Sequence, residues 1–451
     1  MLDVPVQFDA NDYKLSDPDV PAVSELFQEL EFRRLSETFM KIFKPTEATP
    51  EATKIETKAA PAAFDLFNQP GSGQIESLST FKSLDNVPHH YQCVQTELER
   101  KLLLQTMQRQ KSVCFDTETT GLDAVRASLV GIAFSWQAHT GYYLPIPDDA
   151  DARKVILDSL IPFFEDEAIE KVGQNLKYDL KVMQQHGISV KGKLFDTMLA
   201  HYIINPDMRH NMDVLAETYL GYHPKPITDL IGKKGKNQGS MRDVPIDQQT
   251  EYAAEDADIT WQLKEHFEKE LGKNEQRALL DKVELPLVRV LAAMELAGIS
   301  IDLPYLNDLS NVLKQEATAL EQRIFEKAGE TFNLASPKQL GPVLFDKLKL
   351  VEKPKKTKTG QYSTAEEVLS TISKDHPIVS DILEWRSVQK LKNTYVTALP
   401  DDINEKTNRI HTVYNQAVAA TGRLSSNHPN LQNIPIRTPR GRQVRKAFIA
   451  K

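Results

Sequence analysis

The sequence predicts an α/β domain followed by a mostly helical one, and three observations carry that expectation. Three short apolar runs, Ser112 to Glu118, Leu129 to Trp136 and Tyr142 to Ile146, follow one another with turns between them and read as consecutive strands. Helical periodicities come next, at 153–164, 176–186, 195–204, 212–220 and 247–271. From residue 273 the patterns lengthen into Val283 to Leu296 and Leu306 to Ala328, with no comparable strand run between them. Strands first and helices afterwards, with acids at the end of a strand, fit an α/β core.

At 451 residues the chain is long enough for two or three domains. Apolar content of 40% and charged content of 26% describe a globular, soluble chain. Against 55 basic residues stand 63 acidic ones, a net charge of −8. That average argues mildly against a nucleic-acid binder, but local patches decide binding. Only Cys93 and Cys114 are present, so no disulfide framework is indicated, and both read as small buried residues in a reducing cytoplasm. No basic segment followed by an apolar run opens the chain, so no secretory signal is expected. The most apolar stretch, Leu285 to Ile301, is interrupted by Arg289 and Glu295, so no membrane contact is expected.

In chain order, residues 1–44 hold one helical pattern over Ser24 to Phe43, carried by Leu26, Phe27, Leu30, Phe32, Leu35, Phe39 and Ile42. The piece is too small for its own core and reads as the tail of a larger domain or a docked helix. Residues 45–84 are rich in Pro, Ala, Thr and Glu and poor in apolar bulk; they read as a flexible linker. Residues 85–272 form the α/β domain, opened by a strand at Tyr91 to Val94 and an amphipathic helix at Leu98 to Met107. Residues 273–451 add a basic loop from Lys353 to Lys358 and helical patterns at Ala365 to Ile372 and Val379 to Thr394. The stretch from Ile436 onward carries Arg437, Arg440, Arg442, Arg445, Lys446 and Lys451 and no acid.

The chain is organised around Cys114-Phe115-Asp116-Thr117-Glu118-Thr119. Val113, Cys114 and Phe115 predict a buried strand, and alternation along it sends Asp116 and Glu118 to the same face. Two carboxylates on one face repel each other unless a cation sits between them, and hard oxygen donors suit Mg²⁺ or Mn²⁺. Taken alone, an Asp-x-Glu is more simply a strand end emerging into solvent. Asp179, in Asn175-Leu176-Lys177-Tyr178-Asp179, falls in the first turn of a helix, where the dipole favours an anion. Tyr252 and Asp256 are four apart on the next long helix and share a face, with Ala253 and Ala257 forming a small-residue stripe that lets the helix approach the sheet. Asp258 points elsewhere and is expected to be solvated.

Together the three motifs, Phe115 to Thr119, Asn175 to Asp179 and Tyr252 to Asp258, resemble those of the four-carboxylate 3′–5′ exonucleases, in the tyrosine-containing subclass. The whole of 85–272 resembles the proofreading domain of bacterial family A DNA polymerases of the polymerase I type. Phe332 to Leu340, Lys390 to Tyr395 and the long, specific run Ala420 to Pro435 resemble the thumb and the start of the palm of that family. Residues 1–44 are similar to the tail of the family's N-terminal 5′-nuclease. The family's catalytic palm motif would follow shortly after Phe448, and the chain stops at Lys451, so polymerase activity is not carried over.

The resemblance implies an RNase H-like exonuclease domain followed by a mostly helical thumb and the first part of a palm. It implies a proofreading enzyme of replication and repair that releases nucleoside 5′-monophosphates from DNA 3′ ends with two divalent metal ions, Mg²⁺ or Mn²⁺. Asp116 is expected to bridge the ions, Glu118 and Asp256 to complete the site that holds the attacking water, Asp179 to hold the second ion, and Tyr252 to orient the water. Leu122 would wedge near the terminal base, Gln174, Asn175 and Tyr178 would line the path of the single-stranded 3′ end, and Arg209 would meet a phosphate. Lys353, Lys355, Lys356, Lys358, Arg386 and Lys390 would contact phosphates of a duplex primer-template on the thumb. Arg423, Asn430, Gln432 and Asn433 resemble readers of the minor groove at the primer end. A monomer of the bacterial cytoplasm, associated with the nucleoid, is implied. Two other readings stand beside this one: a DNA-binding module whose exonuclease fold is silent, against which all four carboxylates speak, and an RNA-trimming exonuclease, against which the thumb and the Thr421 to Ser426 stretch speak.

Overall fold

The computed structural model describes residues 18–29, 39–40, 43, 81–235, 237–273 and 276–450. The chain divides into two units, Met1–Glu76 and Ser77–Lys451. In the first, Val20–Glu29 forms helix α1, so the helical pattern begins four residues before Ser24. Phe39 meets Phe27 edge to face at 5.7 Å. The rest of the expected helix, and the linker expected at 45–84 up to residue 80, lie outside the described residues. Lys82, within the stretch expected to be linker, pairs with Tyr222 of the second unit.

The second unit opens with strand β1 (His90–Cys93) and helix α2 (Glu97–Met107). Thr96 and Glu99 close a capping box at the start of α2, which fixes its first turn. Strands β2 (Ser112–Thr119), β3 (Leu129–Gln137) and β4 (Thr140–Pro145) then form a meander in which β3 is antiparallel to both neighbours. Helix α3 (Ala150–Phe164), capped by Asp149, leads to β5 (Glu170–Gly173), helix α4 (Lys177–Gln185) and β6 (Leu194–Asp196). Helix α5 (Thr197–Ile204), a short helix α6 (Met212–Leu215) with a π-helical turn at Ala216–Leu220, helix α7 (Thr228–Ile231) and the 28-residue helix α8 (Ile246–Lys273) complete the domain.

The six strands form one mixed sheet in the order β1-β4-β3-β2-β5-β6. β2 is antiparallel to β3 and parallel to β5, so it lies in the middle, where direction changes. The three expected strands are present; β5 and β6 are additional, each four residues or fewer, too short to show a period of their own. On one face Phe115 and Phe134 meet Phe163 and Phe164 of α3 through edge-to-face contacts at 5.1 to 5.9 Å. The opposite face is covered by α8, where Ala253, Ala254 and Ala257 are fully buried. The approach there is close: a Cβ on Gly141 of β4 would lie 2.7 Å from the Ala254 carbonyl. The small-residue stripe expected at Ala253 and Ala257 thus includes Ala254.

Helix α9 (Arg277–Leu279) runs through a π-helical turn, Leu280–Glu284, into α10 (Leu285–Ala297). Leu280, Leu285, Val288 and Ala292 pack into the core of the sheet domain. A second core starts at Leu306. It is built on α11 (Leu303–Ala328), α12 (Pro337–Pro342), α13 (Glu366–Ile372) and α14 (Pro377–Leu391). Asp302 caps α11 by accepting from the Tyr305 amide, and Gly329 ends it in the left-handed region at φ 71°. Short strands follow: β7 (Ser300–Ile301) pairs with β12 (Phe448–Ile449), β8 (Ile403–Asn404) with β9 (Arg409–Ile410), and β10 (Val413–Asn415) with β11 (Ser425–Asn427). Helix α15 (Pro439–Lys446) precedes β12. Its basic character is partly neutralised, because Arg440 pairs with Glu316 of α11 and Glu384 of α14.

Candidate active site

The carboxylates gather where the centre of the sheet meets α8. Asp116, Glu118 and Asp256 bring one oxygen each to within 4.8 Å of one another. Asp116 and Glu118 are there because alternation on β2 puts them on the α8 face, and Asp256 because α8 packs so closely on β3 and β4. Glu118 and Asp256 are buried, and Asp116 is partly exposed. Asp179, in the first turn of α4, is turned toward β2, where Oδ1 accepts from the Thr117 amide at 3.0 Å and the Thr117 hydroxyl at 2.5 Å. Tyr252 lies one turn before Asp256 and hydrogen-bonds to it, its ring against Val130, Met241 and Val244.

Electrostatics mark these carboxyls as a set. Burial lifts Asp116 up to about 6 from an ordinary 3.8. Burial, then the charges of Asp116 and Asp179, push Glu118 well above the usual carboxylate range. Burial followed by Asp116 raises Asp179 against the opposing effect of the Thr117 hydrogen bonds. Burial, Asp116 and Glu118 raise Asp256. Among the described residues none of the four forms a salt bridge with a Lys or Arg; the buried lysines of α4, for example, pair with Glu295 instead. Asp256 Oδ1 is buried without a hydrogen-bond partner. Convergent carboxylate oxygens with one unpartnered and no neutralising side chain fit a hard divalent cation.

The residues expected along the strand path are spread around this cluster. Leu122 is 86% exposed at the tip of the loop after β2, so it is no core leucine. The Tyr178 hydroxyl donates to the Gly121 carbonyl at 2.6 Å and lies 2.5 Å from the Thr119 hydroxyl. Gln174 is engaged within the protein: it accepts from Thr197 Oγ1 and donates to the His210 carbonyl. Asn175 is exposed in the left-handed region at φ 59°, and Arg209 is exposed. The geometry leaves open side chains at Leu122, Asn175 and Arg209 and ties up those of Gln174 and Tyr178.

On the second core, Lys353, Lys355, Lys356, Lys358 and Lys390 are exposed; Lys356 Nζ lies 5.0 Å from the centre of the Tyr362 ring. Arg386 is different: its guanidinium is half-buried and donates to the carbonyl and hydroxyl of Thr364. It lines a cavity of about 740 Å³ with Gln361, Ser363, Gln389 and Asn393. Arg423, Asn430, Gln432 and Asn433 are exposed on the segment around β11. Asn430 Oδ1 accepts from the Gln432 and Asn433 amides, and the Gln432 side chain bonds Ser426 and Leu424, so both amides shape the loop as well as face outward.

Two acids read differently in the structure than in the sequence. Asp258, expected to be solvated, is 2% exposed and accepts from the Tyr91 hydroxyl, the His139 amide and Gln262. It ties α8 to the β1 edge, which helical spacing cannot reveal. Asp196, not singled out by any motif, ends β6 and accepts from four amides, those of Asn175, Leu176, Met198 and Leu199. It holds the turn that launches α4; burial raises it to about 6 despite these bonds. The signal in the sequence was the Asp-Thr pair after Leu194 and Phe195, an N-cap at the start of a helix.

Residues 91–272 match the family model described as 3′-5′ exonuclease, and residues 303–451 match that of DNA polymerase family A. Curated relatives include DNA polymerase I of Chloroflexus aurantiacus, 38% identical over 468 residues, covering 100% of this chain and 48% of that protein. DNA polymerase I of Pseudomonas aeruginosa is 43% identical, covering 77% and 39%, and that of Synechocystis sp. is 44% identical, covering 75% and 35%. The chain spans about half or less of the length of these relatives. A similar solved structure is the POL domain of Pol1 from M. smegmatis in complex with DNA primer-template and dNTP, with a TM-score of 0.66, 30% identity, and coverage of 80% of this chain and 59% of that one. Fold and site define an RNase H-like 3′–5′ exonuclease domain joined to polymerase sequence. The chain belongs to DNA polymerase family A, among the relatives of bacterial DNA polymerase I.

Proposed function

We propose that this chain removes nucleotides from DNA 3′ ends, as the proofreading part of a DNA polymerase I that acts in replication and repair. The observation that carries the reading is the convergence of Asp116, Glu118 and Asp256, with Asp256 Oδ1 buried and without a hydrogen-bond partner. These three and Asp179 would hold two divalent ions, Mg²⁺ or Mn²⁺. When bound, such ions lower the pKa of water and stabilise the oxygen that leaves.

The chain's own groups do the rest. Tyr252, whose hydroxyl is held protonated by burial and by the charge of Asp256, orients the attacking water. The water adds to the terminal phosphorus and the bond to the 3′ oxygen breaks, giving a nucleoside 5′-monophosphate and a new 3′ hydroxyl. Leu122 presses on the terminal base, and Asn175 and Arg209 face the entering single strand. Tyr178 and Gln174 support that path from behind rather than by open side chains.

We propose residues 85–272 as the exonuclease domain, 273–451 as thumb and start of palm, and 1–44 and 45–84 as a nuclease-domain remnant and its tether. Duplex primer-template would rest on Lys353, Lys355, Lys356, Lys358 and Lys390, with Arg423, Asn430, Gln432 and Asn433 at the primer end. Arg386 would shape that surface by holding Thr364, with phosphate contact secondary. A monomer acting at the nucleoid of the bacterial cytoplasm completes the proposal; the bacterial relatives support the bacterial setting. The test is release of mononucleotides from a labelled single-stranded DNA with Mg²⁺ or Mn²⁺, against EDTA and against Asp116→Ala. Release that survives either control defeats the proposal; a preference for the ribo strand redirects it to RNA.

A further inference from the structure

Helix α4 has two working faces. One carries Asp179, bonded to Thr117 on β2. The other carries Lys177 and Lys181, one turn apart, which are 6% and 5% exposed. Two buried lysines on one helix face need a partner, and among the described residues both find the same one. Lys177 donates to Glu295 Oε1 at 2.6 Å and Lys181 to Glu295 Oε2 at 2.5 Å. Glu295 itself, on α10, is 2% exposed.

Glu295 is fixed from further sides. Its Oε1 accepts from the Tyr414 amide at 2.8 Å, while Lys177 also donates to the Tyr414 carbonyl. Its own carbonyl accepts from His411 Nδ1 at 2.7 Å. One carboxylate thus joins α4 of the sheet domain, α10, and strand β10 of the second half. On the same helix, Arg289 donates to the carbonyls of Val190 and Gly192, the loop after α4. A buried ion pair contributes little net stability, because desolvation offsets attraction. What it does supply is a fixed geometry, and here that geometry is the seat of the helix bearing Asp179.

We propose that Glu295 is a positioning residue for the exonuclease: it sets the seat of α4, and through it the placement of Asp179 and Tyr178. The inference rests on the exonuclease reading. Glu295 touches neither substrate nor the carboxylate cluster. Its loss leaves two buried lysines without the carboxylate they both pair with, Lys177 keeping only the more remote charge of Asp196, and α4 shifts to hydrate them. Asp179 moves with it, since the helix is one rigid body.

The experiment uses the full chain and three proteins: the parent, Glu295→Gln, and a triple variant, Glu295→Leu with Lys177→Met and Lys181→Met. In Glu295→Gln, kcat on a single-stranded DNA falls roughly tenfold to a hundredfold while KM stays within about threefold, because a displacement of about 1 Å at a reacting group costs up to about a hundredfold. In metal-free protein, hydrogen exchange at the Tyr178 to Lys181 amides speeds up, a readout independent of catalysis. The triple variant replaces the ions with apolar side chains of similar volume and melts at or above the parent temperature, yet its kcat remains low. If the parent is active and Glu295→Gln matches it in kcat, the proposal fails. It fails equally if the triple variant recovers both stability and kcat, for then packing alone seats the helix. Should Glu295→Gln not fold, the triple variant decides by itself. An inactive parent would sink the exonuclease reading instead.

Discussion

Tyr178 donates its hydroxyl to the carbonyl of Gly121, 57 residues earlier, at 2.6 Å. The helix that carries Asp179 therefore also holds the loop that exposes Leu122. Tyr178→Phe should loosen that loop without touching a carboxylate. We expect KM for single-stranded DNA to rise more than kcat falls, with a stability loss of about 0.5–1.5 kcal/mol from one hydrogen bond. Leu122→Ala should raise KM with stability within about 0.5 kcal/mol, as for an exposed side chain. Steady-state kinetics and urea unfolding check both; a Leu122→Ala protein with unchanged KM removes the wedge.

Asp116 links the site to pH. Its folded value of about 6 lies above its ordinary 3.8, so the neutral form is favoured by folding. That contribution is fully present below pH 3.8 and is lost as pH rises through 6. In EDTA, Asp116→Asn should thus gain on the parent as pH goes from 5 to 7.5, ending more stable by on the order of 1–3 kcal/mol. Mg²⁺ or Mn²⁺ should close the gap by stabilising the parent alone. Melting curves with and without metal give the answer; an Asn variant less stable than the parent at pH 7.5 in EDTA contradicts the cluster. Nuclease activity of that variant should vanish.

His201 works in the opposite direction. It is fully buried, its Nδ1 2.7 Å from His210 Nδ1 and its Nε2 2.9 Å from the Tyr219 hydroxyl. Burial, with His210 adding to it, lowers it to about 4 from 6.5. Stability from keeping it neutral is complete above pH 6.5 and is lost as pH falls toward 4. Its imidazole resonances should show no titration at pH 5.5, whereas an ordinary histidine would be mostly charged there. A midpoint near 6.5 would refute this.

Gly131 of β3 faces Tyr143 so closely that a Cβ would lie 2.1 Å from the phenol oxygen. That oxygen donates to Gln249 of α8, so it cannot yield without breaking the contact between sheet and helix. Gly131→Ala should destabilise the domain by roughly 1–3 kcal/mol, as overpacking does. An unchanged melting temperature would be inconsistent with the packing described.

The thumb lysines offer a test away from the cluster. Replacing Lys353, Lys355, Lys356 and Lys358 by Ala should flatten the dependence of duplex affinity on salt, by about 0.9 in log–log slope for each phosphate no longer neutralised. Lys356, which lies over Tyr362, should contribute least. Hydrolysis of a short single strand should hardly change. An unaltered duplex slope means the loop is only solvated.

Much of this was legible in the chain. The strand at Ser112 and the shared face of Asp116 and Glu118 follow from apolar runs and a period of two, and Tyr252 and Asp256 from a period of four. Illegible were features made by distant neighbours. Nothing near Asp258 announces Tyr91, 167 residues away, and nothing near Glu295 announces Lys177, 118 residues away. Charge in an apolar helix reads as an interruption until the partner is known. Arg386 shows the converse: its type suggested a phosphate, and its surroundings gave it Thr364.

Gly141 and Ala254 leave no room between the sheet and α8. Ala254 lies between Tyr252 and Asp256 in the sequence of that helix, which rests on the sheet at this point without a side chain to spare. The separation between Asp256 and the two acids of β2 is therefore set by the bulk at residue 254, as a shim sets a gap. Substitutions there that add no charge and touch no nucleotide would still open the carboxylate group, one methylene at a time. Catalytic rate would then decline in steps with side-chain volume, a dependence that an inspection of ligands alone would never suggest.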